Sequence, residues 1–548
     1  MTMSKSIVAR HGMVACSQPL AAKIGLEVLK QKGTAVDAAI ATNAALGLME
    51  PHMCGVGGDL FAIVWDAKTK KLHGLNASGR SPLGLSYDIL RERLQSEGTE
   101  KIPMQGMLPV STPGAVDGWF LLHQRFGSLP IASLFQDVIH YAEQGFKVTP
   151  VIARIWNQFS DQSALACRGD FDLVYKPNGA APEAGDLFSN SHLADTYRLI
   201  AKEGRRGFYE GELATSIAQF MSEQGGYLTK KDLAAHKSEW VDPVSVKYRA
   251  HDIFELPPNT QGMAALQMLR LLEGFELSGK TGMDAETIHW MVEAKKLAFE
   301  DRARFYADPA FNSAPIKELL SDDYNNKRRR AITEQAANKV CAGDPVLQRS
   351  DTVYLTTADS AGNMVSLIQS IFQPFGSGVV VPGTGFALQN RGLLFSMDPS
   401  HANVYAPDKR PFQTIIPAFV MYKGKPKMSF GVMGGDMQPQ GHVQILSNLL
   451  DFKMDLQAAG DALRWRHDDS TQPTDNVGEC LMDGGRLIVE KGFSESFIQE
   501  LIDRGHKVTD KADDEDIGFG GYQAIMCTDD GGYIGASENR KDGCALGY

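Results

Sequence analysis

The chain has 548 residues, of which 43% are hydrophobic and 22% charged, and a formal net charge of −11 at pH 7. That length and apolar content are enough to bury a large core, which excludes a disordered protein and a small single-core domain. Acid is in excess, and the one dense basic run, Lys327-Arg328-Arg329-Arg330, reads as a solvated helix end, so nucleic acid is excluded as an expected partner.

No apolar leader segment stands in positions 1–18, and no run approaches 18 consecutive apolar residues, so a soluble, cytoplasmic protein without a membrane partner is expected. The seven cysteines (Cys16, Cys54, Cys167, Cys341, Cys480, Cys527 and Cys544) are scattered without a Cys-x-x-Cys pair. That pattern predicts buried free thiols, with neither a disulfide framework nor a zinc site, and nothing calls for a metal or cofactor.

Positions 19–32 carry Ala21, Ile24, Leu26, Val28 and Leu29 on an apolar helical face that stops at Gly33. Thr34 with Asp37 caps a second, alanine-rich helix reaching about Leu48. The cluster Gly55-Val56-Gly57-Gly58 feeds a strand over 60–65, which returns over 72–75 as a hairpin. Helices are predicted over about 261–274, through Leu266, Leu269 and Leu272, and over 285–306, through Ile288, Met291 and Leu297. After about residue 351 strands dominate, as hairpins pairing 352–357 with 364–371, 415–422 with 428–432, 478–482 with 486–489, and 523–527 with 533–536. The early hairpin has no sheet of its own to join. Both halves are therefore expected to supply strands to one interleaved α/β body.

The polar segment 342–350 holds Asp344-Pro345, a loop signal, and behind it Asp351-Thr352-Val353-Tyr354 sets a threonine at the start of a hydrophobic strand. If the bond before Thr352 breaks, one residue carries a nucleophilic hydroxyl and its own base, an α-amine of ordinary pKa about 7.7–8.0. This is the threonine-plus-amine variant of triad chemistry. Spacing alone leaves Thr352 equally readable as an ordinary strand start.

An ordered set of motifs runs along nearly the whole chain. It begins with Glu50-Pro51-His52 through Gly58, Thr112-Pro113-Gly114-Ala115-Val116, and Leu256-Pro257-Pro258 with Gly262. Glu293-Ala294-Lys295, Asp301-Arg302 and Asp308-Pro309 follow, then Thr352, Asp359 and Gly362-Asn363. Phe375-Gly376-Ser377-Gly378, Lys409-Arg410-Pro411, Gly434-Gly435 and the terminal Gly535-Ala536-Ser537 to Gly547-Tyr548 complete it. In this order the motifs resemble the gamma-glutamyltranspeptidase family of N-terminal-nucleophile hydrolases, proenzymes that cut themselves before a threonine.

The resemblance implies an α/β fold, a four-layered αββα sandwich, with self-cleavage between Asp351 and Thr352. The expected products are a helix-rich large subunit, 1–351, and a strand-rich small subunit, 352–548, which stay together as partners. Thr352 matches the nucleophile, Ser370 a family threonine that hydrogen-bonds it, and Gly434 and Gly435 the glycine pair whose backbone N–H groups form the oxyanion hole. The activity implied is that of an amidohydrolase or acyltransferase acting on a small-molecule amide.

Departures cluster at the amino-acid-recognition end. Ser78 stands where the family has the arginine for the γ-glutamyl α-carboxylate, Phe372 replaces an asparagine, Leu393 or Leu394 takes the place of the acid that holds the α-amino group, and Gln413-Thr414 replaces two serines. A buried charge facing such residues lacks a partner. The acyl donor is therefore expected not to be γ-glutamyl, and Arg80, Arg391, Gln438 and His442 are the candidates for a rebuilt acyl-carboxylate site. Arg391 is also readable as a turn cap, and His442 as a structural histidine. The competing readings are a true gamma-glutamyltranspeptidase, or glutathione hydrolase, and an uncleaved, non-catalytic binding protein on the same fold.

Overall fold

The computed structural model describes residues 6–160, 168–277, 282–312, 314–341, 353–512 and 517–548. Asp351 and Thr352, and with them the expected cleavage site, lie outside the described residues, as does Cys167.

Fourteen strands form the two large sheets: β1 (Ile7–Ala9), β2 (Met13–Cys16), β3 (Asp59–Asp66), β4 (Lys71–Ala77), β5 (Glu239–Val241), β6 (Val244–Tyr248), β7 (His251–Glu255), β8 (Val353–Ala358), β9 (Met364–Ser370), β10 (Ala418–Tyr422), β11 (Lys425–Met433), β12 (Gly521–Cys527), β13 (Tyr533–Ser537) and β14 (Cys544–Gly547). One sheet has the order β1-β13-β12-β11-β10-β7-β6 and the other β14-β2-β8-β9-β3-β4-β5. Every pairing in both is antiparallel. Each sheet mixes strands from before and after position 351. Neither half could close a sheet by itself without leaving long apolar edges unpaired.

Side-chain alternation explains the layering. Along β3, Leu60, Ala62 and Val64 point into a core beneath helices α1 (Pro19–Lys30) and α2 (Ala35–Met49), while Phe61, Ile63 and Trp65 point into a core between the two sheets. In β10, Ala418 and Val420 face a third core under α3 (Gly262–Leu272), α4 (Ala285–Phe305) and α5 (Met437–Leu450), and Phe419 and Met421 face the inter-sheet core. Three cores between four layers make an αββα sandwich. Every residue of β8 and β9 is buried, and their polar side chains are hydrogen-bonded inside: Thr356 to Ser429, Thr357 to Ala35 O, Ser366 to Tyr354 and Gln369 to Gly55 O.

Local signals hold where they have a mechanism. Thr34 Oγ1 accepts from Asp37 N (3.1 Å), and Asp37 Oδ2 accepts from Thr34 N (2.9 Å), a reciprocal cap for α2 contributing about 1 kcal/mol. The hairpins β3–β4, β8–β9, β10–β11 and β12–β13 form as expected. The hairpin expected over 478–482 and 486–489 does not. Arg486–Glu490 pairs instead with Trp465–Asp468 and, in parallel, with Lys507–Ala512, and Leu481 makes only an isolated bridge to Val340. Burial of Leu487 and Val489 with Trp465 decides that pairing over the glycine turn. The cysteine expectation is corrected as well. Cys341 and Cys480, with Cα atoms 4.7 Å apart, form a disulfide, because the Val340–Leu481 bridge brings the two chains together. Cys16 and Cys54 are free and buried, while Cys527 and Cys544 are free and half-buried.

Candidate active site

The first described residue of β8, Val353, lies opposite Gln369, and Ser370 ends β9 opposite Asp59, the first residue of β3. Ser370 is fully buried. After it the chain turns back sharply: Phe372 takes φ 81° and donates its N–H to Ser370 Oγ at 2.8 Å. A bulky residue with positive φ persists only where its surroundings hold it. Here the Phe372 ring is held by the Arg391 guanidinium, 4.7 Å from the ring centroid.

At the end of β11, Gly434 (φ 114°) and Gly435 (φ 59°) lead into α5. A side chain at Gly434 would be strained, and its Cβ would sit 3.0 Å from Gly520 Cα. Gly434 O accepts from Met437 N (3.0 Å), so the trans peptide plane sends the N–H of Gly435 the opposite way, away from the helix. None of the described residues accepts a hydrogen bond from the N–H of Gly434 or Gly435. The next peptide plane is fixed from behind. Gln261 Nε2 donates to Gly435 O (2.8 Å) and to Thr414 O (2.6 Å), its Oε1 accepts from Arg302, and Arg302 Nη1 also reaches Asp436 Oδ1 (3.2 Å). All three side chains are buried.

Around Arg391 the charges are few. Nη1 donates to Thr414 Oγ1 (2.8 Å), whereas Nε and Nη2 are buried without a hydrogen-bond partner among the described residues. Asp59 is the acid in its field, but the Asp59 carboxylate accepts from Gly79 N (2.8 Å), Gln389 Nε2 (2.9 Å) and Gln413 Nε2 (2.7 Å). Burial pushes Asp59 up to about 6 despite Arg391, and draws Arg391 down to about 9 despite Asp59. Ser78 contributes no cation: its Oγ donates to Asn76 Oδ1 (2.6 Å) and accepts from Asn259 Nδ2 (3.3 Å).

The other proposed carboxylate ligands lie elsewhere or are engaged. Arg80 pairs with buried Asp308 (3.1 Å) and with Glu239 (3.2 Å), and donates to Asp408 O (2.8 Å). Gln438 Oε1 accepts from Ile416 N (3.0 Å). His442 Nδ1 sits 2.7 Å from Glu255 Oε1, its Nε2 accepts from Val432 N (3.2 Å), and both side chains are fully buried. Burial draws His442 down to about 3 and pushes Glu255 up, so the pair is a structural tie between α5 and β7. The sequence reading missed Asp59 and Gln261 as site residues. The available signal was a lone acid after Gly58 at the head of an apolar strand, and a glutamine directly before Gly262.

His289, Glu293 and His506 form the one group among the described residues whose ligand atoms are close enough to hold a metal ion. Lys296 Nζ lies 2.7 Å from Glu293 Oε1 and already supplies the positive charge there. No helix among the described residues is long and apolar enough to cross a membrane.

The profile of the family described as Gamma-glutamyltranspeptidase matches residues 21–548. The chain is 35% identical to the glutathione hydrolase-like YwrD proenzyme of Bacillus subtilis over 546 residues, covering 100% of both chains. It is 32% identical to the oxamate amidohydrolase proenzyme of Klebsiella pneumoniae over 554 aligned residues, again covering 100% of each. Among solved structures, the cephalosporin acylase of Bacillus halodurans superposes with a TM-score of 0.91 at 42% identity, covering 100% of this chain and 98% of that one.

Proposed function

The chain belongs to the gamma-glutamyltranspeptidase family and is a hydrolase of the N-terminal-nucleophile type, and from that premise we propose that it cuts itself between Asp351 and Thr352 and then cleaves a small amide through an acyl-enzyme on Thr352. The freed α-amine accepts the hydroxyl proton, the hydroxyl oxygen attacks the amide carbon, and the same ammonium returns the proton to the departing amine. Water, or an acceptor amine, then releases the acyl group. The N–H groups of Gly434 and Gly435 stabilise the oxyanion, and Ser370 orients the nucleophile. Residues 1–351 and 352–548 are the two subunits that result.

One observation carries this reading: the crossing of β8 over β11 leads to the glycine pair. Thr356 Oγ1 meets Ser429 Oγ at 2.6 Å, and a Cβ on Gly431 would lie 2.5 Å from the Tyr354 ring. Each two residues back along β8 advance two along β11, toward Met433 and the glycine pair after it. The acyl donor in this proposal lacks the α-amino acid head, because Ser78 is engaged with Asn76 and Asn259 and the partners for an ammonium are replaced by Phe372 and by Leu393 or Leu394. The disulfide between Cys341 and Cys480 weighs against the cytoplasmic location expected from sequence, since such bonds are rare in a reducing cytosol.

Mass spectrometry of the purified protein tests the proposal. Two fragments are expected, the smaller beginning at Thr352, with Thr352→Ala uncut and inactive and Thr352→Ser retaining part of both reactions. An intact chain that hydrolyses amides would refute it.

A further inference from the structure

We propose that the helix-covered face of the sheet that begins with β1 carries a second binding site, a trough for a free straight-chain fatty acid with its carboxylate on Lys427 and Lys453. The site is separate from the amide chemistry and does not rest on it. Its floor is one row across five strands. Val420 on β10 lies opposite Met428 on β11, Met428 opposite Met526 on β12, Met526 opposite Ile534 on β13, and Ile534 opposite Val8 on β1. With neighbouring strands about 4.8 Å apart, this unbroken apolar row is about 19 Å long. The C-terminal end of α5 forms a wall with Leu446, Leu449 and Leu450, and the turn after it adds Met454 and Leu456. Between floor and wall lies a cavity of about 570 Å³, the size of a small-molecule site. Val420 and Met428 are buried, Met526 and Ile534 half-buried, and Val8 is 70% exposed, so the row is covered at β10 and open at β1.

Lining and charge select the occupant. A row one residue wide suits an extended chain, and the flexible thioethers of Met428, Met454 and Met526 mould to such a chain. The head group follows from the bases. In the β10–β11 hairpin Val420 faces Met428 and Met421 faces Pro426, so Lys427 is an extra residue in the strand, and this bulge turns it toward the trough. Lys453 and His251 line the trough as well. Burial holds the His251 imidazole below its ordinary value, and Lys453 and Lys427 add to that, as three bases gathered in one place must. Each lysine keeps donors for a carboxylate: Lys427 Nζ gives one to Cys527 O (3.2 Å) and Lys453 Nζ one to Leu450 O. The nearby acids are otherwise engaged or distant. Asp455 caps the helix Leu456–Asp461 through Gln457 N (3.0 Å) and Ala458 N (2.9 Å), Asp252 pairs with Lys247 (3.1 Å), and Asp529 stands 4.0 Å from Lys427 in open solvent. The balance at the trough is positive, which an anionic head complements. Met428 precedes Gly434 by six residues of β11, about 20 Å of strand, so a chain bound here leaves the glycine pair uncovered.

Calorimetry with octanoate, decanoate and dodecanoate, each below its micelle concentration, tests the site. Every added pair of methylenes should tighten binding about tenfold, and decanol should bind about fivefold more weakly than decanoate, the contribution of two solvent-facing ion pairs. In the double variant Lys427→Met with Lys453→Met, which changes only side chains that reach solvent, decanoate should fall to the affinity of decanol while decanol is unaltered. No heat from dodecanoate with wild type overturns the proposal, and needs no variant to fold. Affinity that does not follow chain length overturns it too, as does an undiminished preference for decanoate in the double variant. Wild type that pellets with phosphatidylglycerol vesicles and ignores the monomeric acids would make a membrane surface the occupant. A dimer in sedimentation that binds no dodecanoate would make it a second copy of the chain. Either result also overturns the proposal.

Discussion

Gln261 is the residue whose replacement bears most directly on how this site is built. Gln261→Met keeps the length of the side chain and removes its polar atoms. Three buried hydrogen bonds are then lost: Gly435 O keeps the Gln438 N–H (3.1 Å), Arg302 Nη1 keeps Asp436 (3.2 Å), and Thr414 O loses the Gln261 amide. At about 1 kcal/mol for each buried hydrogen bond, the three amount to roughly 3 kcal/mol of stability. Activity should suffer for a separate reason. With Gly435 O held by the Gln438 N–H alone, the peptide on its C-terminal side is less firmly oriented, and the two glycines, which have no side chain to resist, shift the N–H donors with it. Misplacing an oxyanion donor lowers kcat by about 10²–10³, and KM should change far less because such donors act on the charge that develops in the transition state. The assay is kcat and KM per folded, processed enzyme on an amide that wild type turns over, beside a thermal melt of each protein. A kcat within threefold of wild type, in a variant whose melt shows the lost stability, would refute the link between this amide and the oxyanion turn.

Four further outcomes are expected. Because Cys341 lies before the cleavage site and Cys480 after it, the two fragments should migrate as one species on a non-reducing gel and separate on reduction; separation without reductant would disprove a lasting tether. Glutaryl p-nitroanilide should exceed its γ-glutamyl counterpart by at least about 100-fold in kcat/KM, since an α-ammonium would sit unpaired near Arg391, and a γ-glutamyl preference would mean that the pocket is misassigned. Ser370→Ala removes the acceptor of the Phe372 N–H and should destabilise the protein by about 1 kcal/mol while lowering kcat, whereas Ser370→Thr restores both; equal damage from Thr would contradict a hydroxyl role. His442, held near 3 against an ordinary 6.5, disfavours protonation in the folded state. The stability advantage of wild type over His442→Gln should be complete above pH 6.5 and shrink as pH falls toward 3, as denaturant melts across that range would register; a constant difference would exclude the titration.

Much of this protein is legible in its sequence, where a local physical rule governs. The α2 cap follows from Thr34 and Asp37 alone and the four hairpins from apolar runs around turn residues, whereas Ser370 and Gly434-Gly435 are singled out only by the order of motifs that carries the family resemblance. Tertiary structure decided what depends on partners distant in the chain. The disulfide of Cys341 with Cys480 needs a bridge across 139 residues, and the strand at Arg486–Glu490 chose Trp465–Asp468 over its nearer neighbour because that pairing buries Trp465. Nothing in the residues beside them ranks the four candidate carboxylate ligands in sequence. They separate only when hydrogen bonds are assigned: Arg80 is paired with Asp308, Gln438 with Ile416 and His442 with Glu255, while two buried nitrogens of Arg391 have no hydrogen-bond partner among the described residues. Residue type sets what a side chain can bind, and the fold sets which of its donors and acceptors are already taken.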